Sequence, residues 1–190
     1  MIDKMIDRNI NFLQKYGVEM NNDDDKAVYK YGLQILYYYL VDLVVIFSLA
    51  AIFGRLYETM IMTFIFGLFQ VFGGGYHTKT PLKCLLTMLV GAAVGNVLIT
   101  LMAGQIGFTI VAGGIFAGII AAVPPVTNKR HPIGKKVQRR SKTVVRCTVI
   151  LILIGIIVGG YLDRYVEIAT VMVTMGLYLI SFNTAKRKNK

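Results

Sequence analysis

The stretch GGGYHTKTPLKC, Gly73 to Cys84, sets an imidazole and a thiol seven residues apart. A thiol attacks carbonyl carbon as its thiolate, and a neighbouring imidazole can take its proton. On one continuous helix, seven residues would leave the two side chains about 10 Å apart along the axis, too far to hydrogen-bond. Thr80 and Pro81 break that continuity, because they predict a helix start with Thr80 as N-cap and Pro81 in the first position. Cys84 then falls in the first turn or just past it, where the helix dipole favours an anion. Lys79 and Lys83 add positive charge nearby. His77 comes before the helix start and after three glycines, whose backbone freedom lets the loop fold the imidazole back over Cys84. The chemistry this would support is that of a cysteine peptidase, with His77 and Cys84 as its catalytic residues. Spacing and capping leave the plainer reading open: a small apolar thiol in a helix and a solvated loop histidine.

The second cysteine supplies a contrast. Cys147 follows Arg146 with no nearby histidine and no helix-start signal, so it reads as a packing residue. Two cysteines are too few for a disulfide framework. The only histidines are His77 and His131, and a catalytic zinc needs three protein ligands, so no metal or cofactor is expected.

The elements that must position this pair are apolar. Of 190 residues, 55% are hydrophobic and the mean hydropathy is +0.60, above the 45–50% apolar content usual in soluble domains. The excess lies in six segments, about 33–53, 57–73, 82–103, 107–125, 144–161 and 166–183. A crossing takes roughly 20 residues. The expected fold is an all-α integral membrane protein, residues 1–190 forming a single domain. The second segment is short and the GRLYE connector tight, so four full spans plus two irregular segments is an alternative. Residues 1–20 read as an amphipathic helix, with Ile2, Met5, Ile6, Ile10, Leu13 and Tyr16 on one face. It could lie in the membrane interface or pack on its own protein. Glycines four apart (Gly91 and Gly95, Gly114 and Gly118, Gly155 and Gly159) would let helices approach closely.

The net charge is +11, concentrated in a basic loop expected over 126–146 and a basic tail over 184–190. A soluble protein this basic would suggest nucleic acid. Between apolar segments, the same charge reads as cytoplasmic loops on the lipid bilayer, with no nucleic-acid partner. Both termini and the His77–Cys84 loop then face the cytoplasm. The opposite turns carry only Arg55 and Glu58, then Asp163 and Arg164. Within the spans, Asp42 is expected to be a neutral structural acid with Asn96 as a partner, since intramembrane carboxylates are costly.

Three stretches together resemble one family. GGGYHTKTPLKC is similar to the Gly-Gly-x-His…Cys signature of the accessory gene regulator B (AgrB) family. VPPVTNKRHPIGKKVQRRSK resembles its Pro-rich basic loop after the fourth hydrophobic segment, and YKYGLQILYYYL resembles the start of its first membrane helix. The resemblance spans essentially the whole chain. It implies a membrane cysteine endopeptidase that processes an AgrD-like quorum-sensing propeptide, with Cys84 as nucleophile and His77 as general base. It also implies a homodimer and a cyclic thioester product. One departure is Gln70, where many members carry a basic residue seven positions before the histidine; it could contact the peptide's acidic end or simply be polar at a helix end. Lys129, Arg130, Lys135, Lys136, Arg139 and Arg140 exceed what orientation needs and are candidates for holding the propeptide's acidic part. The alternative for them is topology and attraction to anionic lipid. Gln34, near the cytoplasmic start of the first span, could donate its amide to the oxyanion formed at Cys84. A small transporter or export channel without proteolytic activity is the rival function, favoured by Asp42, Asn96 and the glycine-rich packing.

Overall fold

A computed structural model describes residues 2–17, 22–76, 81–123 and 134–188. They form seven helices, with no strand among the described residues: α1 (Ile2–Lys15), α2 (Asp23–Ile52), α3 (Leu56–Gly73), α4 (Pro81–Ala103), α5 (Ile106–Ala122), α6 (Lys135–Tyr161) and α7 (Tyr165–Lys188). Each of the six apolar segments corresponds to one continuous helix; the fourth, expected over 107–125, ends at Ala122, and residues 124–125 lie outside the described ones. Five of these helices are long and apolar enough to cross a membrane, and the protein is a multi-pass membrane protein. The shortest is α5, not the doubted second segment. Its 17 residues reach about 25 Å at 1.5 Å per residue, at the low end for a crossing.

Three helices extend beyond their apolar runs; α7 continues past the expected end at 183 to Lys188, so the basic tail is helical that far. α2 starts ten residues before the expected position 33, at Asp23. α1 packs on α2 and on no other element among the described residues. Ile6 and Ile10 are buried, Asn9 hydrogen-bonds Tyr37, and Lys30 pairs with Asp7 at 2.9 Å. The single face expected for α1 is therefore divided: Ile6 and Ile10 pack inward, while Met5 and Tyr16 stay exposed. The basic region differs more. A loop was expected throughout 126–146, yet α6 begins at Lys135 directly after Gly134. KKVQRRSK contains no glycine or proline, and its lysines, arginines and glutamine are good helix formers, so the span's helix continues outward through it.

α7 is the centre of the bundle and touches α3, α4, α5 and α6. Ile168, Ala169, Thr170, Met172, Val173, Thr174, Met175 and Tyr178 are all buried. Thr170 and Thr174 return their hydroxyls to the carbonyls of Val166 and Thr170 at 2.8 and 2.6 Å, which satisfies them without a partner helix. Four neighbours each turn a glycine to α7. A Cβ on Gly73 would lie 2.1 Å from the Tyr178 hydroxyl, on Gly95 3.3 Å from Leu177, on Gly113 3.7 Å from Met172, and on Gly159 3.2 Å from Ile168. In lipid, such close approach supplies the dispersion contacts that hold helices together. Of the three expected glycine pairs, Gly95 and Gly159 serve in this way. Gly91, Gly114, Gly118 and Gly155 face open space, and Gly113 does the work expected of its neighbour.

α2 lies at the side, burying one stripe of Asp42, Ile46 and Ala50. The expected pairing of Asp42 with Asn96 is not formed. The Asn96 amide donates instead to Thr59 Oγ1 at 3.0 Å and to the Ala92 carbonyl at 2.9 Å, joining α4 to α3. Asn96 Oδ1 is buried with no hydrogen-bond partner among the described residues.

The two ends of the bundle differ in charge. At one end Arg55 pairs with Glu58 at 3.1 Å and reaches Thr100 at 2.9 Å, and Arg164 pairs with Glu167 at 3.3 Å. The other end carries the start of α4, the start of α6 and the end of α7. The chain has no acidic residue between Glu58 and Asp163, so the cations of α4 and α6 at that end have no acid within their own segments.

Candidate functional site

α3 ends at Gly73, and the chain leaves it through Gly74, Gly75 and Tyr76 at the cation-rich end. Each glycine answers a different steric demand. Gly73 gives up its Cβ to the Tyr178 hydroxyl. Gly74 has φ 76° and ψ 156°, a conformation that a side chain resists. At Gly75 a Cβ would lie 2.0 Å from Gln70 Oε1.

With those side chains absent, polar groups close on the loop backbone from two helices. Tyr178 donates its hydroxyl to the Gly74 carbonyl at 3.1 Å. The Tyr76 N–H donates to Ser181 Oγ at 3.0 Å, and Gln70 Nε2 donates to the Tyr76 carbonyl at 3.1 Å. Ser181 in turn points its hydroxyl at Gln70 Oε1, at 3.4 Å the longest of the four contacts. The Tyr178 ring is fixed by aromatic packing. It stacks on Phe69 with centroids 5.0 Å apart and meets Phe66 edge-on at 6.4 Å and Phe182 at 6.1 Å. These rings belong to or pack against the main apolar cluster with Val145, Val149 and Met175, so the loop is tied to that buried cluster.

Beyond Tyr76, His77 lies outside the described residues, as do Lys79 and Thr80. The chain resumes at Pro81, the first residue of α4, as the Thr-Pro pair predicts. Cys84 is the fourth residue of α4 and is half-buried; Lys83 beside it is exposed. Cys147 is exposed on α6, where packing had been expected. It lies on a face of α6 that the bundle does not cover.

Gln34 is half-buried on α2 and makes no hydrogen bond with a described residue. Its level follows from helix contacts. The Tyr39 hydroxyl meets Gly67, which aligns residues near 34 with residues near 72. Asn96 on Thr59 and Gly95 on Met62 align residues near 72 with residues near 84. Gln34 and Cys84 therefore share a level to within about a helical turn. Gln70 has its amide committed to Tyr76 and Ser181.

Of the six cations singled out, Lys129 and Arg130 lie outside the described residues, as does the side chain of Lys135. Lys136, Arg139 and Arg140 are exposed on the first turns of α6, and none forms a salt bridge among the described residues. Lys142, which sequence reasoning did not single out, lines a narrow cleft with Gly73, Val145 and Tyr178. Arg146 donates its Nε to the Ala121 carbonyl at 3.3 Å, joining α6 to the end of α5. No group of three or more His, Cys, Asp or Glu residues that could hold a metal occurs among the described residues.

Tyr178 and Ser181 were also missed. Both stand in an apolar run that gives no periodic signal, because α7 meets four helices and buries most of its apolar residues. The available sign was a serine and a tyrosine three apart near the end of a span that finishes level with a glycine loop.

Comparison with known proteins gives one consistent answer. The family model for Accessory gene regulator B matches residues 6–183. The Accessory gene regulator protein B of Staphylococcus epidermidis is 24% identical over 156 residues, covering 78% of this chain and 79% of the relative. Proteins of the same name from two strains of that species match equally. No solved structure matches.

Proposed function

The chain belongs to the Accessory gene regulator B family, and from that premise we propose that it is a membrane cysteine endopeptidase acting on an AgrD-like quorum-sensing propeptide. The observation that carries the reading is Cys84 itself. It is a half-buried thiol in the opening turns of α4, just beyond a loop whose backbone is held by three side chains, at the cation-rich end of the bundle. That end is assigned to the cytoplasm by the positive-inside rule, which puts both termini there as well.

In this mechanism His77 takes the Cys84 proton, and the thiolate attacks the scissile carbonyl. The negative charge on the carbonyl oxygen is met by donors at the site, with the Gln34 amide as the candidate from α2. As the tetrahedral intermediate collapses, the C–N bond breaks and the imidazolium gives its proton to the departing amine. The N-terminal part of the propeptide stays on Cys84 as a thioester. His77, neutral again, takes the proton of a cysteine thiol in the same peptide; that sulfur takes over the acyl group, and Cys84 leaves as thiolate beside the imidazolium. One thioester replaces another, so the exchange is nearly balanced in bond energy. Holding both ends of the peptide in one site makes it intramolecular. The product is a cyclic thiolactone.

Lys136, Arg139 and Arg140, with Lys129, Arg130 and Lys135 before them, are assigned to the acidic part of the propeptide. Lys142 joins them because it lines the cleft beside Gly73. A homodimer is the assembly we assign. The test is cleavage of the propeptide by single-cysteine variants in the same membrane preparation. Cys84→Ala should abolish it with insertion intact, and Cys147→Ala should retain it. Full cleavage by Cys84→Ala would overturn the proposal.

A further inference from the structure

We propose that Tyr178 and Ser181, acting with Gln70, are positioning residues for the catalytic histidine: they hold the backbone at Gly74 and Tyr76, in the stretch that leads to it. The inference rests on the peptidase reading above and adds residues to it.

The argument starts from the bonds on Tyr76. Both of its backbone polar groups are taken by side chains from other helices, the N–H by Ser181 and the carbonyl by Gln70. The Tyr76 carbonyl belongs to the peptide unit that also contains the His77 nitrogen and Cα, and that unit is planar. Holding the carbonyl at one edge of the plane therefore constrains the start of the segment that carries the histidine. Two residues earlier, Tyr178 holds the Gly74 carbonyl, so the segment is pinned at two points, and both pins reach α7.

The sequence has been emptied around these pins. Gly73 and Gly75 are the two positions where a Cβ would collide with Tyr178 and Gln70, at 2.1 and 2.0 Å. A loop that needed only flexibility would not require its glycines at the two contact points of its clamps. A helix-end glutamine and serine serving only solubility would face water, whereas here both are half-buried and directed at Tyr76. The arrangement also gives Gln70 a role that needs no contact with the propeptide.

Positioning predicts a particular kinetic signature. A general base moved by about 1 Å can lose on the order of 100-fold in rate, while substrate held by cations elsewhere binds as before. The experiment uses the full chain carrying Cys147→Ala, so that Cys84 is the one thiol. The rate of its alkylation by iodoacetamide is followed against pH, alongside propeptide cleavage. His77→Ala should move the alkylation profile to higher pH, because an imidazolium no longer stabilises the thiolate. Ser181→Ala and Tyr178→Phe should move it in the same direction. Both should lower kcat about 10- to 100-fold with KM within twofold, and Ser181→Thr, which keeps the hydroxyl, should restore both readouts. If His77→Ala shifts the profile while Ser181→Ala and Tyr178→Phe leave it and kcat unchanged, the positioning role is wrong and the peptidase pair stands. If His77→Ala itself leaves the profile unchanged, the His77–Cys84 pair is refuted and the positioning role with it. Should Tyr178→Phe fail to fold, the Ser181→Ala and Ser181→Thr comparison decides the matter alone, because Ser181 is half-buried and outside the main apolar cluster.

Discussion

Replacing Gly73 by alanine tests the packing beneath the site, and its sign separates two accounts. Gly73 is the last residue of α3 and has no positive φ. On helix propensity alone, alanine there should stabilise by up to about 1 kcal/mol. The contacts predict the reverse. The new methyl would lie 2.1 Å from the Tyr178 hydroxyl oxygen and 3.1 Å from Cζ, far inside the ~3.5 Å at which non-bonded atoms rest. The ring cannot simply turn aside, because Phe69 stacks on it at 5.0 Å. Overpacking of this kind costs about 1–3 kcal/mol, and losing the bond to the Gly74 carbonyl adds about 1 kcal/mol. The propensity gain offsets about 1 kcal/mol, leaving a net loss of about 1–3 kcal/mol. Unfolding in mixed detergent, followed by circular dichroism because the chain has no tryptophan, should show that loss. Tyr178→Phe removes the atom in closest conflict, so the double variant Gly73→Ala/Tyr178→Phe should lose less than the two single losses added, by about 1 kcal/mol or more. A Gly73→Ala protein as stable as the parent, or strict additivity in the double variant, would refute this account of the glycine.

Three further outcomes follow from the same structure. Gly75→Ala should reduce cleavage by displacing the Gln70 amide from Tyr76, whereas Gly114→Ala, which meets no neighbour, should not; cleavage assays on both variants check this. Thr59→Val should destabilise the bundle by about 1–3 kcal/mol, since it takes a partner from the buried Asn96 amide, and detergent unfolding reads it directly. Raising ionic strength should weaken propeptide binding more than it slows the bound step, because exposed cations such as Lys136 and Arg139 are screened by salt; unchanged affinity between low and high salt would leave those residues with a topological role only.

Much of the architecture was legible because it depends on local chemistry. Six apolar runs became six helices, and Thr80-Pro81 marked the start of α4 at Pro81. What failed to show was whatever depends on a neighbour. Nothing in the sequence of α7 distinguishes a central helix from a peripheral one, since lipid and protein interior both favour apolar residues. Gly113 and Gly114 are equivalent in sequence, and only the crossing with Met172 selects the first. Asn96 reads in the sequence as a partner for Asp42, but the geometry gives its amide to Thr59. The start of α6 at Lys135 was hidden because charge was read as loop, although lysine and arginine are good helix formers. At the site, the glycines and the thiol stood out by residue type. Tyr178 and Ser181 lie more than a hundred residues from the loop they hold, and no local pattern joins them.

The central claim is that Cys84 carries the acyl group, and one measurement addresses it directly. The protein is incubated with a propeptide whose own cysteine is changed to alanine, so that the intermediate has no thiol to pass to, and the intact enzyme is weighed by mass spectrometry. The account predicts a covalent adduct with the mass of the N-terminal part of the propeptide, mapped to Cys84, absent from Cys84→Ala and retained in Cys147→Ala. Turnover of that peptide to a linear acid at the normal rate, with no adduct at any time, would contradict it.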